Sequence, residues 1–245
     1  MKRYCFKLTL LLLATALIFG GCNSQGPGTA ETSEKKDSNS ESAPEKKKAL
    51  GSKRITLEEA GPMIPPVPAV LLSVNGDEGE DEISVVWTFV INGKPPQIGI
   101  SVEDAHVALG FLKKHKEFVL NVPTADMVKQ FDIVDMNSSK VDDKYKLSGL
   151  TRGKASLIKA PTVEESPIQL ECRVVDILRV PPKRTVFVAK VVATRVLEGA
   201  TDSKGKLLVD AVPFFGMTAG SGEFYTMGKR LGRIGQSVGR DDIKY

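Results

Sequence analysis

Cysteine and histidine are scarce in this 245-residue chain, which has three of the first and two of the second. Cys5 and Cys22 lie near the N-terminus, so Cys172 stands alone in the body of the chain. That excludes an intramolecular disulfide framework and a thiolate metal cluster there. His106 and His115 are too few for a His-based zinc or copper centre. The run from Leu8 to Phe19 is too short for a permanent membrane span. No internal repeat is visible, and no glycine-rich phosphate loop follows a strand pattern. Nor does a catalytic triad assemble. Ser221, in Ala219-Gly220-Ser221-Gly222-Glu223, lacks the strand before it and the helix after it that a nucleophile elbow needs.

What the N-terminus does carry is an address. Lys2, Arg3 and Lys7 precede the apolar run, which ends in Phe19-Gly20-Gly21-Cys22. This is the layout of an export signal. Two small residues directly before a cysteine resemble the lipobox of bacterial lipoproteins, with Phe19 where leucine is commoner. The resemblance implies that residues 1–22 are a signal peptide, and that lipid on Cys22 tethers the chain to a membrane outside the cytoplasm. Asn23 is not the aspartate that retains lipoproteins at an inner membrane, which points to an outer membrane where the cell has one. The signal also holds three of the four net positive charges, leaving +1. A nearly neutral mature chain gives no case for a nucleic-acid partner.

Residues 23–54 are rich in Ser, Glu, Lys, Pro and Gly and contain no aromatic side chain. Such a segment cannot bury enough apolar surface to offset its chain entropy and is expected to be a disordered tether. Residues 55–245 are the size of one substantial domain. There the apolar residues fall in short β-branched runs. Ala69–Val74, Ile83–Ile91, Gln97–Val102, Phe118–Val122, Ile168–Leu178 and Thr185–Val196 read as strands. Asn75-Gly76 and Asn92-Gly93 signal turns. A helix is expected over Glu103–His115, with Ser101 as its cap, Glu103 and Asp104 in its first turn, and Ala105, Leu109 and Leu112 on one face. Another starts near Thr124 and turns Met127, Val128 and Phe131 inward. Many strands with two or three short helices predict a mainly β fold, a barrel with helical excursions.

Several single residues have plain structural roles. Asp77–Asp81, Asp142-Asp143 and Glu164-Glu165 read as exposed acidic turns. Trp87, inside an apolar strand, reads as a core residue, although its ring would also suit a pocket wall. Cys172 reads as a structural thiol. The stretch Tyr225–Arg233, with Lys229, Arg230 and Arg233 among glycines, suits either phosphate binding or contact with an anionic lipid surface, and both stay open.

The order of segments resembles the flavin reductase-like family, in its flavoredoxin-like branch. The match begins with Pro66-Val67-Pro68-Ala69-Val70-Leu71-Leu72-Ser73-Val74. It continues through Trp87, Lys94-Pro95-Pro96 and Gln97-Ile98-Gly99-Ile100-Ser101 to Phe118-Val119-Leu120-Asn121-Val122-Pro123. Ser148-Gly149-Leu150-Thr151, Lys159-Ala160-Pro161, Ser166-Pro167, Leu170-Glu171-Cys172 and Tyr225-Thr226-Met227-Gly228-Lys229 complete it. The resemblance implies a Greek-key split β-barrel, a homodimer, and FMN near the subunit interface. It places Trp87, Thr88 and Asn92 on the flavin side. Asn121, Val122 and Pro123 would border the ring system, and Tyr225 would close the pocket.

The family's flavin does the redox chemistry, so the lack of an acid–base dyad is no objection. The expected function is electron transfer through bound flavin, with a redox donor or acceptor outside the cytoplasm. At the phosphate the chain departs from its relatives. After Ser101 they carry basic and hydroxyl residues, whereas this chain reads Val102-Glu103-Asp104-Ala105-His106. Two carboxylates at a helix start would repel a phosphate by on the order of a few kcal/mol each. Three alternatives follow: phosphate held by Lys229, Arg230 or Lys94, a different cofactor, or a cofactor-free barrel acting as a binding module.

Overall fold

The computed structural model describes residues 50–64, 66–77, 79–140, 142–219 and 221–240, so the expected export signal and nearly all of the expected tether lie outside the described residues. The chain divides into two units, Met1–Thr56 and Leu57–Tyr245. Of the first, residues 50–56 are exposed and form neither helix nor strand. The second holds strands β1 (Val67–Pro68), β2 (Leu71–Val74), β3 (Glu82–Val85), β4 (Trp87–Gly93), β5 (Pro96–Glu103) and β6 (Glu117–Val122). They are followed by β7 (Arg152–Lys154), β8 (Pro161–Val163), β9 (Ile168–Val180), β10 (Arg184–Val196), β11 (Phe215–Met217) and β12 (Phe224–Thr226). Three α-helices, α1 (Ala108–His115), α2 (Val128–Met136) and α3 (Lys144–Ser148), lie between the strands.

Seven strands form one antiparallel sheet in the order β3-β2-β6-β9-β10-β5-β4. Its two edge strands are separated in sequence by Val86 alone. Neighbouring Cα atoms are about 3.8 Å apart, so this link brings the edges together and the sheet must curl into a split barrel. The single strand expected over Ile83–Ile91 is therefore two strands, one at each edge. Bulges in the β9–β10 ladder near Val188 and Val191 help the long hairpin bend.

The barrel interior is filled by Leu72, Ile100, Phe118, Leu120 and Phe187, with Ala108 and Leu112 of α1 packed among them. A second core lies behind β2 and β3, where Leu71, Ile83 and Val85 meet Phe131 of α2, Tyr145 of α3 and Phe215. Both faces of β2 are buried, which explains why Ser73 is its one polar residue. Phe131, Phe215 and Phe224 meet edge to face with ring centres 5.3, 5.7 and 5.8 Å apart.

The first helix starts five residues later than expected. The β5 ladder with β10 runs on to Glu103, opposite Arg184, so Glu103 is a strand residue and Ser101 sits mid-strand instead of capping a helix. Ala105 is exposed, while Ala108 and Leu112 are the buried face of α1. The helix ends where Lys116 adopts the left-handed conformation (φ 56°) and its N–H closes on the Leu112 carbonyl. The second helix follows a 3₁₀ turn over Ala125–Met127 and buries Phe131, as expected, but Thr124 makes no capping side-chain bond. Helix α3 is short and held at both ends. Asp143 accepts from the Tyr145 and Lys146 N–H groups, and Gly149 (φ 71°) terminates it.

Candidate functional site

The residues nominated from sequence divide between two places. Trp87, Thr88 and Ser101 lie together on β4 and β5, with Trp87 directly opposite Ser101. The Thr88 hydroxyl donates to the Gly99 carbonyl at 3.0 Å. At the exposed hairpin tip Asn92 donates to the Lys94 carbonyl at 3.1 Å. Trp87 is not a core residue. It is half-buried on the outer sheet face, and the Arg184 guanidinium lies 3.8 Å above its ring centre. Phe89 shares that face, its ring over Gly99, where any Cβ would collide with it.

The second place is the end of β6. Asn121 is fully buried and its amide is spent on the scaffold. It donates to the Leu71 carbonyl at 3.0 Å and to the Ser73 hydroxyl at 2.9 Å, and it accepts from the Val163 N–H at 2.9 Å. Val122 is half-buried between the barrel interior and a smaller cluster of Ile168, Ala200, Val212 and Phe214, and Pro123 is buried. Thr124 bridges to Phe214, and the Met227 N–H returns to the Phe214 carbonyl, so Pro123 and Tyr225 flank one stretch of chain. Tyr225 is more than half exposed on β12, opposite Gly216 of β11. Lys229 and Arg230 lie beyond it, exposed and outside any helix or strand.

Glu103 and Asp104 do not face a helix N-terminus. Glu103 lies 3.8 Å from Arg184, and Asp104 pairs with Arg179 at 2.7 Å. Arg179 also donates to the carbonyls of Val180, Pro182 and Arg184, and the Asp104 N–H donates to the Lys183 carbonyl. The two carboxylates thus fasten the tip of the β9–β10 hairpin to the end of β5. The first turn of α1 carries no acidic residue, so the expected repulsion from a helix start is removed.

A concavity lies at that helix start. Two adjoining cavities of about 590 and 230 Å³ share Glu82, Val107, Ser139 and Lys144. Their walls come from β3, the start of α1, the end of α2 and the start of α3. Glu82, Ser84 and Lys144 are 4%, 1% and 7% exposed and form one buried polar cluster. Lys144 Nζ lies 3.1 Å from Glu82 Oε1, and Ser84 donates to that same carboxylate at 2.8 Å. Lys144 also donates to the Ser84 hydroxyl and the Val134 carbonyl, both at 3.4 Å. Arg152, on the larger cavity, pairs with Asp143 at 2.8 Å and lies over the Tyr145 ring. His106 Nδ1 and Ser139 Oγ are buried there without a hydrogen-bond partner. Burial lowers the His106 pKa, with Lys144 acting the same way and Glu103 and Asp135 opposing, so its imidazole stays neutral at neutral pH.

Neither Lys144 nor Glu82 was singled out in sequence. The signal available was the pattern Glu82-Ile83-Ser84, two polar residues two apart on one face of an otherwise apolar strand. The other sequence readings are simpler to place. Cys172 is buried, and burial pushes its thiol up to about 12. Ser221 sits in an exposed turn beside Thr218 and donates to Glu223 at 2.9 Å.

Comparison with known proteins decides the family. The model of the Flavin reductase like domain matches residues 65–212, more than half of the chain. The chain belongs to the flavin reductase-like family. The match takes in the β4–β5 residues, Asn121 and the cleft, and stops short of Tyr225, Lys229 and Arg230. The flavoredoxin of Methanosarcina acetivorans is 26% identical with a TM-score of 0.69, covering 76% of this chain and 100% of that one. The flavoredoxin of Desulfovibrio vulgaris (Miyazaki F) has a TM-score of 0.70 at 21% identity, with the same coverage. An uncharacterised protein of Pyrococcus abyssi is 28% identical over 131 residues, 54% of this chain and 74% of its own length. The flavin reductase-like split barrel is a scaffold for flavin-dependent electron transfer, and the cleft lies within the matched region.

Proposed function

We propose that this chain is a flavin-binding electron-transfer protein, tethered outside the cytoplasm by lipid on Cys22 and working as a homodimer. The observation that carries the reading is the cleft between β3, α1, α2 and α3 within a flavin reductase-like barrel. Its volume suits a cofactor-sized ligand. Val85, Val107 and Phe111 would pack against the flat isoalloxazine, and the orphaned His106 Nδ1 and Ser139 Oγ would meet its polar edge. Bound flavin would accept and pass on reducing equivalents, and the protein would supply orientation and polarity. The phosphate of FMN is less well served, because Lys144 and Arg152 already hold carboxylates.

Support for the homodimer comes from the outer face of β4, β5, β10 and β9. There Trp87 and Phe89 of β4 and Leu178 of β9 stand at least partly exposed, with β5 and β10 between them. An apolar sheet face of this kind suits a second copy of the chain. An electron donor outside the cytoplasm would be another envelope protein, because soluble nicotinamide cofactors are not expected there.

The test is the visible spectrum of the full chain purified from membranes, before and after flavin is added. Flavin absorption that survives desalting supports the reading. A protein that stays colourless with every flavin rejects it in favour of a cofactor-free binding module. The tether is tested by Cys22→Ala, which should abolish lipid labelling and release the protein; retention with label intact refutes it.

A further inference from the structure

We infer that the cleft selects flavin without its phosphate, riboflavin over FMN, and that Glu82 enforces the choice. The inference rests on the flavin reading above and names the ligand class of the same site.

Among the described residues, Lys144 is the one Lys or Arg that is buried, and it lines both cavities. A buried cation in the wall of a flavin cleft is the natural anchor for a phosphate. Here the anchor is already taken. Glu82 Oε1 lies 3.1 Å from Lys144 Nζ, and the same oxygen accepts the Ser84 hydroxyl. The carboxylate stands where an anionic ligand group would have to stand, and it is built into β3 and cannot leave.

The remaining charges point the same way. Arg152 is held by Asp143 and packed on the Tyr145 ring. Glu80, Asp81 and Asp142 add three further carboxylates to the lining of the larger cavity, against one further lysine, the exposed Lys140. A phosphate dianion would enter a region with excess negative charge and find both nearby buried or packed cations engaged. A ribityl chain ending in a hydroxyl meets the opposite situation. Its O–H groups donate, and carboxylates on the rim accept. The neutral ring system keeps the orphaned His106 and Ser139 atoms as partners in either case.

The experiment is equilibrium titration of the full-length protein in detergent with riboflavin and with FMN, read by quenching of flavin fluorescence. Wild type should bind riboflavin at least about tenfold more tightly than FMN, a difference of about 1.4 kcal/mol. Glu82→Gln keeps a hydrogen-bonding group beside Ser84 and Lys144 while freeing the lysine's charge. It should bring FMN to parity with riboflavin or beyond, so that the ratio of the two affinities shifts by at least about tenfold. Should that variant fold poorly, the pair Glu82→Leu with Lys144→Met removes both charges together, and it should still bind riboflavin and still discriminate against FMN. Wild type binding FMN as tightly as riboflavin would overturn the inference while leaving the flavin reading intact. An unchanged preference in Glu82→Gln would remove Glu82 as its cause. Failure of wild type and variant to bind either flavin would overturn the inference together with the reading beneath it.

Discussion

Asn121 separates a scaffold role from a ligand role most sharply, and Asn121→Ala is the perturbation that does it. Its amide joins three pieces of chain, donating to β2 at the Leu71 carbonyl and the Ser73 hydroxyl and accepting from the Val163 N–H of β8. Ser73 keeps a second partner, because its hydroxyl donates to the Pro161 carbonyl at 2.6 Å. The Val163 N–H loses its side-chain acceptor and the Leu71 carbonyl loses one of its donors, in a region where Val163 and Leu71 are completely buried. Each buried group left short of a partner costs about 1–3 kcal/mol, so the variant should lose about 3 kcal/mol of stability. Water cannot easily make up the loss, because the cavity left by the amide is walled by β2, β6 and β8. Urea unfolding of wild type and variant, followed by far-ultraviolet circular dichroism, measures the difference as a shift of midpoint at constant slope. A loss below about 1 kcal/mol would refute the scaffold role. Unchanged stability with abolished flavin binding would return Asn121 to the ligand.

Three further outcomes are expected. Arg184→Ala should change the emission of Trp87, the sole tryptophan, because a guanidinium 3.8 Å above its ring is lost; identical spectra would mean that the stacking does not persist in solution. Burial pushes the Glu171 carboxyl up, but hydrogen bonds from the Ser156 and Leu157 N–H groups and the Ser156 hydroxyl, each 2.7 Å, outweigh it and leave the pKa lowered. Its contribution is therefore present above the ordinary value of 4.5 and is lost as pH falls through the folded value. Glu171→Gln should flatten the acid side of the stability–pH curve, and a curve of unchanged steepness would refute that. Cys172, buried with its thiol pushed up to about 12, should resist Ellman's reagent in the native protein and react once unfolded; labelling of the native protein at the unfolded protein's rate would show that the barrel opens there.

Much of the barrel was legible because periodicity reports local environment. Four expected strands, Gln97–Val102, Phe118–Val122, Ile168–Leu178 and Thr185–Val196, fall on β5, β6, β9 and β10 within two residues at each end. The division of Ile83–Ile91 was not legible, since Val86 is as β-prone as its neighbours and the break is made by barrel closure. Helix α3 is only five residues long, too short for a 3.6-residue period to show, and it stands on its Asp143 cap and its terminal glycine. Strand β4 misled for a related reason, since Trp87 was read as core while Phe89, Val90 and Ile91 beside it are exposed. Its apolar residues look like core until topology places the strand at an edge.

The site was less legible than the fold because its decisive contacts join residues far apart in sequence. A carboxylate next to a helix reads locally as helix chemistry, and on that basis Glu103 and Asp104 seemed to oppose a phosphate. Their partners, Arg184 and Arg179, come from a hairpin some eighty residues later, and pairing with them turns two apparent obstacles into a fastening for the barrel's rim. The obstacle exists all the same, on another strand. Glu82 lies at the edge of an apolar run, where a lone acid is expected to point to water, yet it is almost wholly buried against Lys144. Removing one member of such a pair costs several kcal/mol, whereas a well-packed apolar pair would stabilise as well or better. Stability alone therefore does not account for two buried charges on the wall of a cleft, and the charge they present to a ligand is the property that a hydrocarbon pair could not replace.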